Sequence, residues 1–335
     1  MRSRYWALAA ALPALAAGCD AGRPPVAYGE PTSIIAAAAD SLWAVVGDSV
    51  HSALEPIVFT VREERTFDLT HAAPRASEWK RLREFKRLLV IGTRDDAWVA
   101  PVLGAAVGGA PRSLPALVEA ADVWANRQEA VAIVLSRPGA EEEVYALLPE
   151  LRRRLDADYR QYVLERMYTS GRDEALADSL TRLAGFSLLL PNVYAWSRRD
   201  SIFLFTNTYR EGQLLRAIIV TWRPSAAAPL SAESALAWRD EVSARHYELR
   251  QTTQREPLHI QAVAVGGGQG IEVRGIWSSS GSFPAAGPFL DRLLVCPAQG
   301  RMYFLDAWLY APGKKKYEYL IQLETLLDTF RCGGT

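Results

Sequence analysis

Excess charge of one sign and long apolar runs are missing from this chain and histidine is scarce, and each of these excludes something. Lys+Arg and Asp+Glu balance at 38 each, so no global positive field recruits nucleic acid and no acidic tail is present. Histidines number 4, and no His-x-x-x-His or Cys-x-x-Cys spacing marks a zinc site. Neither a metal nor a cofactor is expected. The patterns G-x-S-x-G, H-E-x-x-H and G-x-x-x-x-G-K-[ST] do not occur. No segment reaches the ~20 apolar residues that span a bilayer. Ala97 to Ala110 is apolar but short, and is broken by Pro101 and several glycines.

Cysteine is scarce as well, at 3 in 335 residues, yet Cys19 is the most informative residue present. Arg2 and Arg4 precede a short apolar segment that ends Leu15-Ala16-Ala17-Gly18-Cys19. A basic start, an apolar run and small residues before the cleavage point have the form of an export signal. A cysteine at that point indicates a lipoprotein, with residues 1–18 removed and lipid on Cys19. Ala16 stands where leucine is favoured, and a plain secretory signal is the alternative. The expected location is the cell envelope, anchored to a membrane and facing the periplasm or the surface. Two or more acyl chains make such an anchor stable. Residues 19–33 are rich in Pro, Gly and small residues and read as a flexible tether, reaching roughly 40 Å at ~3.1 Å per residue. Cys296 and Cys332 remain. Export exposes them to an oxidising compartment, where they could pair and stabilise the fold by roughly 3–4 kcal/mol. Two separate thiols are the other reading.

Roughly 315 of the 335 residues remain after the signal, enough for two domains at about 100–200 residues each. Residues 34–170 and 171–331 are read as two α+β domains, each a mostly antiparallel sheet covered by helices. In the first, Asp40-Ser41 opens a helix, and Leu88 to Gly92 is a buried strand. A helix follows Pro138-Gly139 with Val144, Leu148, Leu151, Leu155, Tyr159 and Val163 on one stripe. Pro149 should kink or divide it. In the second, Gly185 ends a helix, and Phe186 to Leu190, Ser201 to Thr206 and Leu214 to Trp222 are strands. Hairpins turn at Gly266–Gly270 and at Gln299-Gly300, and a helix from Lys316 to Phe330 closes the chain. Both halves end alike: a strand, a Pro-Gly turn, a charged triplet and a helix. Glu141-Glu142-Glu143 suits a helix N-terminus, and Lys314-Lys315-Lys316 does not. An old duplication would explain the likeness; so would the commonness of Pro-Gly turns.

Few polar constellations stand out. Ser77-Glu78-Trp79-Lys80 matches S-x-x-K without its partner motifs, and Ser77 reads as a helix cap. Asp68 and His71 could orient a base, although polar side chains turned to solvent at a strand end explain them as well. Arg239-Asp240 lies on a helix beside Trp238. Arg274 and Trp277 flank Gly275-Ile276, and arginine with tryptophan is a pairing that anchors binding sites. An internal salt bridge and a core tryptophan explain the same residues. Arg274, Trp277, Tyr310, Arg239 and Asp240 are the candidate binding residues.

Arg274-Gly275-Ile276-Trp277, Gly287-Pro288-Phe289, Tyr310-Ala311-Pro312 and Gln322-Leu323-Glu324-Thr325-Leu326-Leu327 together resemble a family of bacterial lipoproteins, domain of unknown function 4837. Earlier matches are Tyr28-Gly29, Leu42-Trp43, Trp124-Ala125 with Gln128, Leu190-Pro191 and Arg239-Asp240. The resemblance runs from about Pro25 to Phe330. Ala285-Ala286 replace an expected Met-Gly, and three lysines replace a Lys-Arg pair near the last turn. The resemblance implies an envelope lipoprotein and lends no catalytic residue. The order of elements in the second half is similar to the α/β/α sandwich of Mog1 and PsbP, and fold alone does not imply function. Two functions follow: a non-catalytic protein that binds an envelope protein or ligand, or a hydrolase-like enzyme with a dispersed site at Asp68, His71, Arg239 and Asp240.

Overall fold

The computed structural model describes residues 24–209, 213–247, 250–280 and 284–333. Cys19, the signal segment and residues 20–23 of the tether lie outside them. The rest of the expected tether is not free: Val26 and Tyr28 bridge to Asn126 and Phe85 of the first half, because their backbone groups find partners there, and Ser33 already opens a strand. The class is α+β, built on two large sheets.

The first sheet has five strands, in the order Asp68–Ala72, Ser33–Ala37, Arg87–Thr93, Glu129–Leu135, Ala116–Ala121. The first four are parallel, and only the last pair is antiparallel. This corrects the antiparallel expectation for this half. The physical reason is visible in the strands. Ile34 to Ala37, Leu88 to Ile91 and Ala130 to Leu135 are buried at successive positions. Parallel sheets need such cover on both faces, and parallel neighbours need a crossover, which helix Asp40–Leu54 supplies between Ser33–Ala37 and Asp68–Ala72. One cover is the helix pair Asp40–Leu54 and Glu141–Met167, which contributes Val46, Val50, Leu151 and Val163 to one core. Trp79, Trp98, Val99 and Val102 fill the other face from short helices and loops. The long helix is continuous through Pro149. The helix Trp79–Leu82 is capped by Glu78 with no side-chain bond, so Ser77 is not its cap.

The second sheet is antiparallel, with eight strands. Its order is Thr252–Thr253, Gly268–Ser279, Ala285–Cys296, Arg301–Tyr310, Leu214–Pro224, Ile202–Tyr209, Ala195–Arg199, and His259–Val265 pairs beside Gly268–Ser279. Helices Glu174–Ala184 and Tyr317–Asp328 cover one face around Leu180, Leu323, Leu326 and Leu327. Helix Ala232–His246 covers the other around Trp238 and Val242. This is the expected α/β/α sandwich. Gly185 ends its helix in the left-handed conformation at φ 73°, which glycine adopts without a Cβ penalty. Beyond it only Phe186–Ser187 is strand.

The two halves share a boundary. Tyr317 stacks on Tyr159 of the long helix with ring centres 5.5 Å apart, and Ile321 is part of the first half's core. Gly139 and Gly313 both turn at positive φ, 72° and 68°, so the two Pro-Gly turns are alike. The sheets they follow differ in strand direction, which makes that likeness local.

Candidate functional site: the seam between the halves and the buried polar cluster

Arg274 and Trp277 are three positions apart on one strand, and side chains alternate at period two. They therefore face opposite sides of the second sheet, and Arg274 shares its side with Ile276. Trp277 is 0% exposed, edge-on to Trp308 at 5.5 Å. Of the candidate binding residues Arg274, Trp277 and Tyr310, only Trp277 is fully buried; the Tyr310 ring packs 6.3 Å from that of Trp277, and Arg274 and Tyr310 stay partly exposed. Trp277 belongs to the core under helix Ala232–His246, while Arg274 and Tyr310 reach the seam.

At the seam, ionic contacts run in a chain. Arg160 of the long helix binds Asp156 and Glu324, each at 2.8 Å. Arg274 binds the other oxygen of Glu324 at 2.7 Å and donates through Nε to Glu272 at 2.7 Å. Glu272 in turn accepts from Arg292 at 2.9 Å, and Arg292 pairs with Asp328 at 2.7 Å. Burial works against charge on Glu324, but Arg274 and Arg160 outweigh it and hold the carboxyl below its ordinary range. The lysine triplet also serves the seam. Lys316 binds Glu64 through both its backbone N–H, at 2.5 Å, and its Nζ, at 2.7 Å, and Lys315 pairs with Asp68. A basic run that is unfavourable at a helix N-terminus is here neutralised from the other half.

Three cavities open along this seam. One, of about 470 Å³, lies between Arg62 and Glu63 on one side and Tyr310 and Lys314 on the other. A second, also about 470 Å³, is walled by Phe59, Arg160, Ile260 and Arg274. A third, about 400 Å³, holds Arg152, Arg160 and Tyr317.

The opposite face of the sheet carries a buried polar cluster. Arg239 is 0% exposed and lies 4.3 Å over the Phe289 ring. Its guanidinium donates to Gln251 at 2.5 Å and Thr253 at 3.1 Å. Asp306 and Asp291 lie 3.5 and 3.9 Å from its Nε. Those two carboxyls are direct partners on adjacent strands. Burial, and then Asp306, push Asp291 well above the ordinary carboxyl range, with Arg239 opposing. Burial and Asp306 also raise Tyr247, so it remains a hydroxyl and donates to Asp306 at 2.5 Å. Gly275 makes room for this arrangement, since a Cβ there would lie 2.4 Å from Cζ of Phe289. Asp240 sits at the rim, accepting from Thr253 at 2.7 Å and from Arg255. Asp291 and Asp306 escaped the reading of the sequence. Their signal was a lone aspartate at the centre of each of two apolar strands, Phe289-Leu290-Asp291 and Phe304-Leu305-Asp306.

The enzyme reading required Asp68, His71 and Asp240 to converge, and they do not. Asp68 pairs with Lys315 at the seam. His71 stacks on Trp43 at 4.5 Å and meets the Ala38 carbonyl at 3.0 Å. Asp240 lies with Thr253 and Arg255. That dispersed site is set aside. Cys296 and Cys332 are joined in a disulfide, with Cα atoms 5.9 Å apart, at the end of the second sheet remote from Tyr310. Among the described residues no helix is long and apolar enough to cross a membrane.

Solved structures with a similar arrangement match only part of the chain. The Saccharomyces cerevisiae Ran-binding protein Mog1p aligns at 10% identity over 45% of this chain and 91% of its own, with a TM-score of 0.31. Synechocystis PsbP aligns at 12% identity over 44% and 87%, with a TM-score of 0.32. Mycobacterium tuberculosis LpqN, described as involved in cell envelope biogenesis, aligns at 12% identity over 44% and 82%, with a TM-score of 0.28. Likenesses of this size carry no functional argument. No curated protein matches the chain. The family match is narrower than the resemblance from Pro25 onward, and it coincides with the second sheet and its helices: residues 173–329 match the family described as domain of unknown function (DUF4837).

Proposed function

We propose that this protein is a lipid-anchored, non-catalytic binding or assembly factor of the cell envelope, holding an envelope protein or ligand at the seam between its halves. The anchor is supported by the export-type segment that ends at Cys19. Binding at the seam is carried by one observation: three cavities open along it and draw walls from both halves. Ligand sites favour such boundaries. Tyr310 and Lys314 supply an aromatic face and a cation at one mouth.

Two measurements test the two parts. The N-terminal peptide should carry lipid on Cys19, and Cys19→Ala should move to the soluble fraction; an unmodified peptide with unchanged partition refutes the anchor. A photo-crosslinking residue at Tyr310 in native membranes should give an adduct that the same residue at Asp178 does not. Equal labelling at both positions, or none at Tyr310, refutes the seam.

A further inference from the structure

Strand His259–Val265 forms an open edge of the second sheet. It pairs on one side with Gly268–Ser279, in unbroken register from His259↔Arg274 to Val265↔Gly268. Among the described residues no strand pairs with its other side. Edge strands are normally blunted by lysine, proline, a bulge or shortness. This one has seven residues, His-Ile-Gln-Ala-Val-Ala-Val, with no Asp, Glu, Lys, Arg or Pro. Gln261 donates to Glu272 at 2.8 Å, and Val263 and Val265 pack on the core. The alternate residues face away from that core: Ile260 is 55% exposed, and Ala262 and Ala264 are exposed too. Both ends are held in place. His259 packs edge-on against Phe59 at 4.5 Å. At the turn, the N–H of disulfide-bonded Cys332 donates to the Gly266 carbonyl at 2.8 Å. The edge is thus a preformed template, with little ordering left to lose on pairing.

We propose that this edge pairs antiparallel with the same strand of a second copy, about a two-fold axis at Ala262. A two-fold normal to the sheet keeps each copy's exposed residues on the same face, so the register must centre on a residue and not between two. Centring on Ala262 engages all seven positions, a ladder about 23 Å long at ~3.3 Å per residue. Ile260 then faces Ala264 of the second copy, and the two exposed apolar stripes become one cross-strand set. A strand with no Asp, Glu, Lys or Arg brings none of those charges against its copy. Beyond the ladder the charges are complementary. Exposed Glu256 precedes the strand, and exposed Arg331 lies beside Gly266 at its far end. Antiparallel pairing brings Glu256 of one copy toward Arg331 of the other, whose guanidinium among the described residues meets only backbone carbonyls. A second copy would also wall the seam cavity lined by Phe59, Ile260 and Arg274.

The test is the mass of the full chain in detergent, measured by sedimentation velocity and light scattering. Wild type should be a dimer. Ala262→Lys and Ala262→Glu place like charges opposite one another, and each should weaken the dimer at least ten-fold. An equimolar mixture of the two should restore it as a heterodimer. A second variant covers loss of folding: directly opposed Cβ atoms are about 4.5–5.5 Å apart, so Ala262→Cys should give an oxidised dimer above the wild-type background, and Asp178→Cys should not. A monomeric wild type, variants that remain dimeric, absence of the Ala262→Cys dimer, or a monomer that takes up an unrelated strand-forming peptide would each overturn the proposal. None of these outcomes bears on crosslinking at Tyr310.

Discussion

Arg239→Met tests the buried cluster most directly. Asp291 and Asp306 face one another on adjacent strands with neither side chain exposed, and Arg239 is the cation between them and helix Ala232–His246. Removing the only charge partner from a buried ionic group costs about 3–5 kcal/mol, because an uncompensated charge stays behind. Asp291→Asn probes the same site from the other side. Burial and Asp306 raise Asp291 in the folded protein, so its contribution is fully present below the unfolded value of about 3.9. It is lost as pH rises through the raised folded value. Asparagine does not titrate. The stability difference between Asp291→Asn and wild type should therefore move in the variant's favour from about pH 4 upward. In Arg239→Met/Asp291→Asn the loss should be smaller than in Arg239→Met, since one acid fewer is left without a cation. Urea denaturation between acidic and weakly basic pH measures all of this. A loss under about 1 kcal/mol for Arg239→Met, far below the buried-pair range, would refute the reasoning, as would a pH-independent difference for Asp291→Asn.

Three other perturbations address the seam, the disulfide and the sheet. Glu324→Gln should lose about 1–2 kcal/mol, from charge-assisted bonds to Arg160 and Arg274. Because the folded carboxyl is lowered, its contribution exists above the unfolded value of about 4.3 and is lost as pH falls. The deficit should thus shrink in acid, and a constant deficit refutes the ionic account. Cys332→Ser opens a loop with a sequence separation of 36 and should cost about 4 kcal/mol in the chain-entropy model; thermal unfolding unchanged by reducing agent would count against it. Gly287→Ala would place a Cβ 1.8 Å from the Leu309 carbonyl oxygen, forcing the central strands apart at a cost of about 1–3 kcal/mol or more. An unchanged melting temperature would show that the strands shift freely.

Local chemistry made part of the fold legible. The hairpin at Gly266 and Gly267 and the turn at Gly300 need positive φ, which announces itself as glycine between strand-like runs. Parallel and antiparallel strands were harder to tell apart: Leu88 to Gly92 was recognisable as buried, but a short apolar run does not state the direction of its neighbours. For the site, Arg239, Arg274 and Tyr310 were singled out as polar or aromatic residues among apolar ones. The partners Asp291 and Asp306 of Arg239 and Glu324 of Arg274 were not, because each lies far along the chain from the residue it meets.

By itself, the amino-acid sequence determined what depends on neighbours within a few residues. That covers the export-type segment ending at Cys19, the glycine turns and the helical stripe from Val144 to Val163. Tertiary structure decided what depends on distant segments meeting: the parallel order of the first sheet, the burial of Trp277 under helix Ala232–His246, the two carboxyls sharing one guanidinium, and the pairing of Lys315 and Lys316 with Asp68 and Glu64. The physical reason is range. Backbone sterics and side-chain periodicity act over a turn or a pair of positions, whereas burial and charge pairing act through space between residues whose proximity exists only once the chain has folded.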